Sequence, residues 1–340
     1  MQNQAAILYG VRDVRVEETS MPVPGPREVL VEIASVGVCG SDMHYYEHGK
    51  IGAFVVRAPL ILGHESSGVV AQLGAEASKH AVGDRVTIEP GVPCGRCREC
   101  RSGRYNLCQD VRFFATPPID GAFARYVTVH EDFAFRLPDG MSDDEGALIE
   151  PLSVGLWACR KAKLEGGDRV LVTGAGPIGI LAMQAALALG ATEATITDVN
   201  AQRLEMARQL GATRALNVAE EPLGEVGLEF DVLIECSGIP SAMADGIHAL
   251  RPGGVAVAVG LDPSGEVSIP MAALQTREIT LMGVFRYANT YPGAIALAAS
   301  GRVNLGGIVT GHYPLEQAEE ALQAGRKDPA SVKAMVRPGA

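Results

Sequence analysis

A histidine and a glutamate stand side by side at Gly63-His64-Glu65, after a short apolar run. Neither side chain is expected in a core without a polar partner, and both are common ligands of zinc. Cys39 lies upstream and Glu150 lies downstream, so a thiolate, an imidazole and two carboxylates could converge on one ion. We therefore predict a catalytic zinc site formed by Cys39, His64, Glu65 and Glu150. The alternative is a structural His-Glu pair that binds no metal.

Four further cysteines follow the spacing C-x2-C-x2-C-x7-C in a loop rich in glycine, arginine and serine: Cys94, Cys97, Cys100 and Cys108. Four thiolates at this spacing are typical of a closed tetrahedral zinc site, which has no open position for chemistry. An iron–sulfur cluster uses similar spacings, and disulfides are a third possibility that a reducing cytosol disfavours. We predict that these four cysteines bind a structural zinc, and we call the segment 94–108 that carries them the cysteine lobe. Cys159 and Cys236 lie in apolar segments and are expected to be small buried hydrophobes.

A glycine-rich motif, Gly-Ala-Gly-Pro-Ile-Gly at 174–179, follows an apolar strand and begins a helix at Pro177. In this context Gly174 permits a tight turn, Gly176 lets the backbone approach a pyrophosphate, and Gly179 allows close contact between helix and strand. The motif predicts a dinucleotide site. The alternative is a glycine turn without a ligand.

The acid Asp198 lies 19 residues beyond Gly179, at the end of the next strand. At this distance a carboxylate accepts hydrogen bonds from the adenosine ribose hydroxyls, and it repels a 2′-phosphate. The sequence therefore predicts NAD over NADP. Arg203 is the one residue that could soften this preference.

Two kinds of folding unit must position these residues. Up to about Leu137 the chain has short β-type runs broken by proline and glycine, as in a small β-barrel whose loops carry the cysteines and Glu65. After Pro151, strands alternate with helical stretches, which predicts a parallel sheet buried on both faces. The expected strands are 169–173, 194–197, 231–236, 255–260 and 279–284, and the expected helices are 177–189, 201–210 and 241–250.

The tail from about residue 286 loses this alternation, and it ends in an expected helix at 315–324 and a short strand near 334–336. We therefore predict an α/β protein with three segments. Residues 1–151 form a β-rich catalytic domain, residues 152–285 form a doubly wound dinucleotide-binding domain, and residues 286–340 return to the first domain.

Composition excludes several classes of function. Apolar residues make up 47% of the 340 residues, and 29 basic against 40 acidic residues give a net charge of −11 without a basic stripe, which disfavours nucleic acid as a partner. No signal segment and no run of about 18 apolar residues is present. The odd number of cysteines, seven, suits metal ligands and reduced thiols. We expect a cytoplasmic protein with no membrane or nucleic-acid partner.

Taken together, the motifs resemble the zinc-containing medium-chain alcohol dehydrogenases, and within them the polyol branch of sorbitol and xylitol dehydrogenases. The resemblance covers nearly the whole chain. The residues that carry it are 39–46, 63–65, the cysteine lobe, 113–118, 148–153, 174–179 and 283–287. It implies a GroES-like catalytic domain, a Rossmann domain, a homotetramer, and the oxidation of a sugar alcohol to a ketose with zinc and NAD.

The resemblance also implies roles for individual residues. Glu150 would lie beside the zinc held by Cys39, His64 and Glu65, in direct contact or through water, and Asp42 would orient His64. The polyol would contact Tyr45, Glu150, Arg286 and Tyr287. The cofactor would lie along Pro177, Ile178, Asp198, Arg203, Leu261, Phe285 and Arg286. All four lobe cysteines are present here, whereas the animal sorbitol enzymes do not keep the complete set, which places the chain nearer the microbial and fungal enzymes.

Zinc lowers the pKa of a bound alcohol, so an alkoxide can form near neutral pH and transfer hydride to the nicotinamide. Ser41, with His44 beyond it, is placed to pass the proton outward. Alternatively Ser41 only caps a turn and His44 is a surface residue. Two other functions stay open: another alcohol or amino-alcohol dehydrogenase of this fold, such as an L-threonine dehydrogenase, or a zinc-stabilised binding protein, which the acidic charge disfavours.

Overall fold

The computed structural model describes residues 2–225, 227, 229–262 and 264–339. The chain divides into two compact units, Met1–Glu150 with Val309–Ala340, and Pro151–Ile308. The tail therefore returns to the first unit at Val309, later than the expected residue 286. Residues 286–308 stay in the second unit because polar contacts bind them there: Arg160 donates to the carbonyl of Asn289 at 2.7 Å, and the amide of Asn304 donates to Gln184 at 2.7 Å.

The first unit begins with short strands, as the turn residues indicate. Its strands are β1 (Asn3–Gly10), β2 (Asp13–Thr19), β3 (Glu28–Gly37), β4 (Lys50–Ile51), β5 (Phe54–Val55), β6 (Leu60–Ile61), β7 (Glu65–Leu73), β8 (Arg85–Ile88), β9 (Gly91–Val92), β10 (Arg112–Phe113), β11 (Tyr126–His130) and β12 (Ala134–Arg136). Its helices are α1 (Gly40–His48), α2 (Arg98–Arg101) and α3 (Asp143–Ala147), and α4 (Ile149–Ala162) starts at its end.

The second unit alternates strands and helices. The strands are β13 (Arg169–Thr173), β14 (Glu193–Asp198), β15 (Arg214–Asn217), β16 (Phe230–Glu235), β17 (Leu250–Ala258) and β18 (Thr280–Gly283). The helices are α5 (Pro177–Ala188), α6 (Ala201–Gln209), α7 (Pro240–His248), α8 (Met271–Thr276) and α9 (Tyr291–Ala299). The chain then adds β19 (Val309–Pro314), α10 (Ala318–Lys327) and β20 (Lys333–Arg337) to the first unit.

In the first unit a seven-stranded sheet has the order β12-β8-β7-β3-β20-β19, with β11 also paired to β3. Residues of these strands form the core with the apolar face of α10, for example Val31, Ile33 and Val86 from the strands and Leu322 from α10, and Phe123 from a loop packs into the same core. The last strand of the chain, β20, pairs with β3, which also pairs with β7. These pairings bring residues that are far apart in sequence, near 37, 65 and 333, into one layer.

The second unit is a six-stranded parallel sheet in the order β15-β14-β13-β16-β17-β18. Its inner strands are buried, with Leu171, Phe230 and Leu233 in the core. The expectation that every strand is buried on both faces is wrong for β18, where Thr280 and Gly283 are exposed. The reason is that β18 is an edge strand of this sheet, and among the described strands its one neighbour is β17.

Two segments of the site differ from expectation. The segment after Cys39, expected to be a turn, is the helix α1, which ends at Gly49 in a left-handed conformation (φ 67°). Gly40, Ser41 and Asp42 are turn-type residues, so periodicity alone did not reveal this helix. Glu65, expected in a loop, is the first residue of β7. No helix among the described residues is long and apolar enough to cross a membrane.

Candidate active site

Three of the four predicted catalytic ligands lie together in the first unit. One ligand atom from each of Cys39, His64 and Glu65 lies within 4.8 Å of the others. Cys39 is the N-cap of α1, and Glu65 begins β7. Gly63, directly before His64, has φ 85°, and a Cβ there would meet the ring of Phe123, so this turn requires glycine. A thiolate, an imidazole and a carboxylate at this spacing fit a zinc ion with one open position.

Asp42 connects the two ligand segments and is completely buried. Its carboxylate accepts hydrogen bonds from the amide of Cys39 at 3.0 Å and from the amide of Gly63 at 3.0 Å. Its Oδ1 also lies 3.6 Å from Nδ1 of His64. Burial alone would lower the pKa of His64, but the negative charges of Asp42 and Cys39 outweigh it, so this pKa is raised well above its usual value. Asp42 therefore fixes both ligand segments and the imidazole.

Glu65 has a partner that the sequence analysis missed. Nζ of Lys333 donates to both carboxylate oxygens of Glu65, at 2.9 and 2.7 Å, and to the carbonyl of Val38 at 2.8 Å. Both side chains are almost completely buried. Burial would lower the pKa of Lys333, but the charges of Glu65 and Cys39 raise it above its usual value. The sequence feature that could have indicated this ion pair is Lys333 itself, a single lysine directly before the apolar run 334–336.

Glu150 is buried on α4 and, among the described residues, is not part of the Cys39–His64–Glu65 group. A second buried acid, Glu89, was also missed by the sequence analysis. Tyr105 donates to Oε1 of Glu89 at 2.7 Å. The pKa of Glu89 is raised to about 7, because burial and the charge of Glu150 together outweigh the hydrogen bond from Tyr105, which lowers this pKa. The first unit therefore contains several buried carboxylates that influence one another.

The cysteine lobe brings its four thiols together, all within 4.8 Å of one another. The Sγ atoms of Cys97 and Cys100 are 3.4 Å apart, and those of Cys94 and Cys100 are 3.9 Å apart. Tetrahedral zinc with Zn–S bonds of about 2.3 Å requires S–S distances of ~3.8 Å, so the geometry fits. Backbone amides donate to three of the sulfurs, those of Cys94, Cys97 and Cys108. Such hydrogen bonds, from the amides of Arg96 and Cys97, lower the pKa of Cys94 to about 6.

In the second unit the glycine motif lines a cavity of about 510 Å³ together with Asp198 and Arg203. Gly174 has φ 88°, and a Cβ on Gly179 would collide with its carbonyl oxygen. A Cβ on Gly176 would meet no atom within 4 Å, so the space beside it is open. The motif thus has a turn glycine, a packing glycine and a glycine that faces free space at the N-terminus of α5.

The Asp198 carboxylate is held by backbone amides, with Oδ2 accepting from Ala175 at 2.7 Å and Oδ1 accepting from Val199 and Asn200 at 2.7 and 2.9 Å. These bonds fix the acid at the end of β14, facing the cavity. Within the described part of the chain, Nε of Arg203 is buried without a hydrogen-bond partner.

The remaining predicted residues belong to one unit or the other. Ser41, His44 and Tyr45 lie on α1; Ser41 and His44 are half-buried and Tyr45 is buried. In the second unit, Leu261 and Phe285 are exposed, the Arg286 guanidinium lies 4.8 Å from the ring centre of Phe285, and buried Tyr287 packs on Tyr291. Pro177 and Ile178 form the first turn of α5.

The parallel sheet with its glycine turn and fixed acid, together with a Cys-His-Glu metal group, defines a metal-dependent dehydrogenase. Comparison with known proteins gives the family. Residues 25–139 match the alcohol dehydrogenase GroES-like domain, and residues 177–300 match the zinc-binding dehydrogenase model. The chain belongs to the zinc-binding alcohol dehydrogenase family.

Several relatives match over nearly the whole chain. The chain is 45% identical to sorbitol dehydrogenase of Bos taurus, covering 96% of this chain and 94% of that protein. It is 43% identical to sorbitol dehydrogenase of Bacillus subtilis (strain 168), covering 94% and 92%. The solved L-idonate 5-dehydrogenase of Escherichia coli K-12 is 33% identical, with a TM-score of 0.93 over 99% and 98% of the two chains.

These findings confirm the predicted two-domain α/β fold, the predicted enzyme class and the predicted zinc and NAD cofactors. The binding-protein alternative is thereby excluded. The identities to the animal and the bacterial enzyme are similar, so overall similarity does not place the chain nearer to either group.

Proposed function

We propose that the protein oxidises a secondary hydroxyl of a sugar alcohol, such as sorbitol or xylitol, to the ketose, with zinc and NAD. The observation that carries this proposal is the Cys39–His64–Glu65 group, in which a carboxylate stands with one thiolate and one imidazole. Such a set is harder and more polar than a thiolate-rich one, and it suits a substrate with neighbouring hydroxyls. The similarity to sorbitol dehydrogenases supports the same substrate class.

Each part of the first unit has a role in this proposal. Bound zinc supplies a Lewis acid that lowers the pKa of a coordinated alcohol. Cys39, His64 and Glu65 would hold the metal, and the resemblance assigns Glu150 a place beside it, in contact or through water. Asp42 keeps Cys39 and His64 in position through the hydrogen bonds described above.

The proton of the alcohol needs a path outward. Ser41 follows the Cys39 N-cap on α1, and His44 lies one turn further along the same helix. Both side chains are half-buried, so each keeps contact with solvent for the exchange of a proton. We assign the relay to Ser41 and His44.

The second unit binds NAD. The carboxylate of Asp198 accepts hydrogen bonds from the ribose hydroxyls, and the pyrophosphate binds in the open space beside Gly176. The other proposed cofactor contacts are Arg203, Leu261, Phe285 and Arg286, together with Pro177 and Ile178 in the first turn of α5. The proposed contacts of the polyol are Tyr45, Glu150, Arg286 and Tyr287.

Substrate class is tested by following NADH absorbance with the purified enzyme, NAD and a panel of sorbitol, xylitol, arabitol, threonine and a simple alcohol. The expected result is turnover of at least one polyol with a kcat/KM well above that for threonine. Turnover of threonine with none of any polyol would instead support the amino-alcohol alternative.

The metal role is tested with His64→Ala. The imidazole is one of three ligands, so its loss should reduce zinc from two atoms to one per chain and abolish turnover, while NAD still binds the second unit. His248→Ala changes an exposed histidine on α7 and should leave both properties unchanged. Full turnover by His64→Ala would remove this residue from the metal site.

We further propose a cytoplasmic homotetramer. Zinc binding by five cysteines requires reduced thiols, which the cytoplasm maintains. Among the described strands, β18 has a neighbour on one side of the sheet, and its other side is the surface through which the sheets of two subunits could pair. The mass of the particle in solution, by light scattering, tests the tetramer.

A further inference from the structure

Glu235 is a buried acid of the second unit to which the proposed function gives no role. It is the last residue of β16 and is 1% exposed. One carboxylate oxygen, Oε1, accepts hydrogen bonds from the amides of Ser237 and Gly238 at 2.7 and 2.9 Å, and also from the hydroxyl of Ser237. The hydroxyl of Thr173 donates to the same oxygen at 3.3 Å. A buried carboxylate needs such donors, because a charge without partners in a core is strongly unfavourable.

The donors belong to the wall of the cavity of about 510 Å³, which we call the cofactor cavity. Thr173 lies directly before the glycine motif, and it is opposite Glu235 in the pairing of β13 with β16. Thr173, Gly174 and Ser237 all line the cofactor cavity. A Cβ on Gly174 would lie 3.0 Å from the Cα of Ser237, so the two wall segments touch through their main chains. The Glu235 carboxylate therefore connects two segments of this wall.

The main chain of Glu235 holds a third segment. Its carbonyl oxygen accepts hydrogen bonds from the amides of Val259 and Gly260 at 2.8 and 2.9 Å, directly before Leu261, a proposed cofactor contact. A Cβ on Gly260 would overlap the amide nitrogen of Gly238, and it would lie 2.8 Å from Oε2 of Glu235. Three segments of the second unit thus pack closely around this one acid.

We propose that Glu235 is a positioning residue that holds the cofactor cavity in its binding arrangement before NAD enters. This inference rests on the proposed function, in which this cavity binds NAD. Glu235 is not one of the lining residues, so it acts through the segments that it connects. A cavity that is ordered in advance loses little conformational freedom on binding, so more of the interaction energy appears as affinity.

Loss of the Glu235 side chain leaves the amides of Ser237 and Gly238 without their acceptor. The segment 237–238 then samples other arrangements, because nothing replaces these hydrogen bonds inside the unit. Only the fraction of molecules in the binding arrangement takes up the cofactor, and the apparent Kd rises in inverse proportion to that fraction.

The first test compares Glu235→Ala with wild type in the zinc-loaded, full-length enzyme, with NADH as the probe. The Kd for NADH, measured by titration of its fluorescence, should rise about tenfold or more. At saturating NAD and substrate, kcat should not fall, because the cofactor-bound enzyme has the cavity formed. A Kd equal to that of wild type would overturn the proposal.

Asp231→Ala is the matched control. Asp231 lies near the other end of β16, and its carboxylate also connects this strand to β13, accepting from the amide of Arg169 at 2.8 Å. Its loss should lower stability but leave the Kd for NADH unchanged, because these contacts lie away from the glycine motif. An equal rise in Kd for Asp231→Ala and Glu235→Ala would overturn the proposal, since the effect would then be general destabilisation.

Amide hydrogen exchange tests whether the arrangement exists before the cofactor binds. Residues 237–238 should exchange slowly in free wild-type enzyme and about tenfold faster or more in free Glu235→Ala, and NADH should restore their protection. Asp231→Ala should exchange like wild type in this segment. Wild-type protection of residues 237–238 in free Glu235→Ala would overturn the proposal.

If Glu235→Ala does not fold, Glu235→Asp decides the question. Aspartate keeps the charge but is one methylene shorter, so it should show the same two changes, and wild-type values of both would overturn the proposal. Failure of the proposed function gives a different result, in which NADH leaves the exchange of residues 174–179 unchanged even in wild type. Failure of this inference alone leaves that protection by NADH intact.

Discussion

The carboxylate of Glu65 occupies the space that the side chain of residue 37 would need. Gly37 faces Glu65 across the pairing of β3 with β7. A Cβ built on Gly37 would overlap Oε2 of Glu65 and would lie 3.2 Å from its Cδ. Lys333 holds the same carboxylate from the other strand, so it has little freedom to move aside. Residue 37 must therefore be glycine, because any larger side chain would collide with the Glu65 carboxylate of the metal group.

Gly37→Ala should displace the Glu65 carboxylate and so weaken the catalytic metal site. We expect zinc at this site to bind about tenfold more weakly or worse, with a similar loss in kcat/KM, because a ligand is moved out of position. Zinc content and kinetics measure both effects. Gly10→Ala is the control, since a Cβ at that strand position meets nothing within 4 Å. Wild-type zinc binding and turnover in Gly37→Ala would contradict this explanation.

Asp198→Ala should reduce the preference for NAD over NADP. Loss of charge-assisted hydrogen bonds to the ribose should raise the KM for NAD by about 10- to 100-fold, while removal of the negative charge favours the 2′-phosphate. The ratio of kcat/KM for the two cofactors measures the change. Glu221→Ala alters an exposed acid of the same unit and should keep the wild-type ratio. Unchanged discrimination in Asp198→Ala would show that another residue selects the cofactor.

Cys97→Ser should remove the metal of the cysteine lobe while the catalytic metal stays. We expect zinc content to fall from two atoms to one per chain, and amide hydrogen exchange to increase within residues 94–108, because this segment has few apolar side chains to order it. Cys159→Ala is the control: burial raises the pKa of that thiol to about 12, and it lies outside both metal groups. Two zinc atoms in Cys97→Ser would mean that three thiolates are sufficient.

Glu89→Gln should remove part of the pH dependence of stability. Burial raises the pKa of Glu89 from 4.5 to about 7, so the folded state binds a proton that the unfolded state releases between these values. The associated stability is fully present below about pH 4.5 and is lost as pH rises through about 7, by up to ~3 kcal/mol. Relative to wild type, Glu89→Gln should therefore gain stability on going from pH 5 to pH 8.

Denaturation midpoints of the zinc-loaded enzyme at the two pH values provide the measurement for Glu89→Gln. Glu76→Gln changes an exposed acid of the same unit and should follow the wild-type pH dependence. If Glu89→Gln and wild type lose the same stability between pH 5 and pH 8, Glu89 does not bind a proton in the folded enzyme at neutral pH.

Local spacing in the sequence was enough to predict the features that depend on short-range contacts. The cysteine lobe closes over 15 residues, and its four thiols do converge. The glycine motif follows strand 169–173 directly, and periodicity located five of the six strands of the parallel sheet and the helices α5, α6 and α7, but it missed the edge strand β15 and the helix α8. In these cases the residues that must meet are neighbours in the chain, or their hydrophobic pattern has one simple period.

Only the tertiary structure decided the contacts between distant parts of the chain. Lys333 reaches Glu65 across 268 positions because β20 returns to pair with β3, and this pairing leaves no local signal in the sequence. The helix after Cys39 was missed because its first residues are turn formers, and the return at Val309 depends on side-chain contacts within the second unit. The sequence alone therefore determined the ligand types and the cofactor motif. The fold determined which buried charges surround the ligands, because burial and pairing are properties of the assembled sheet.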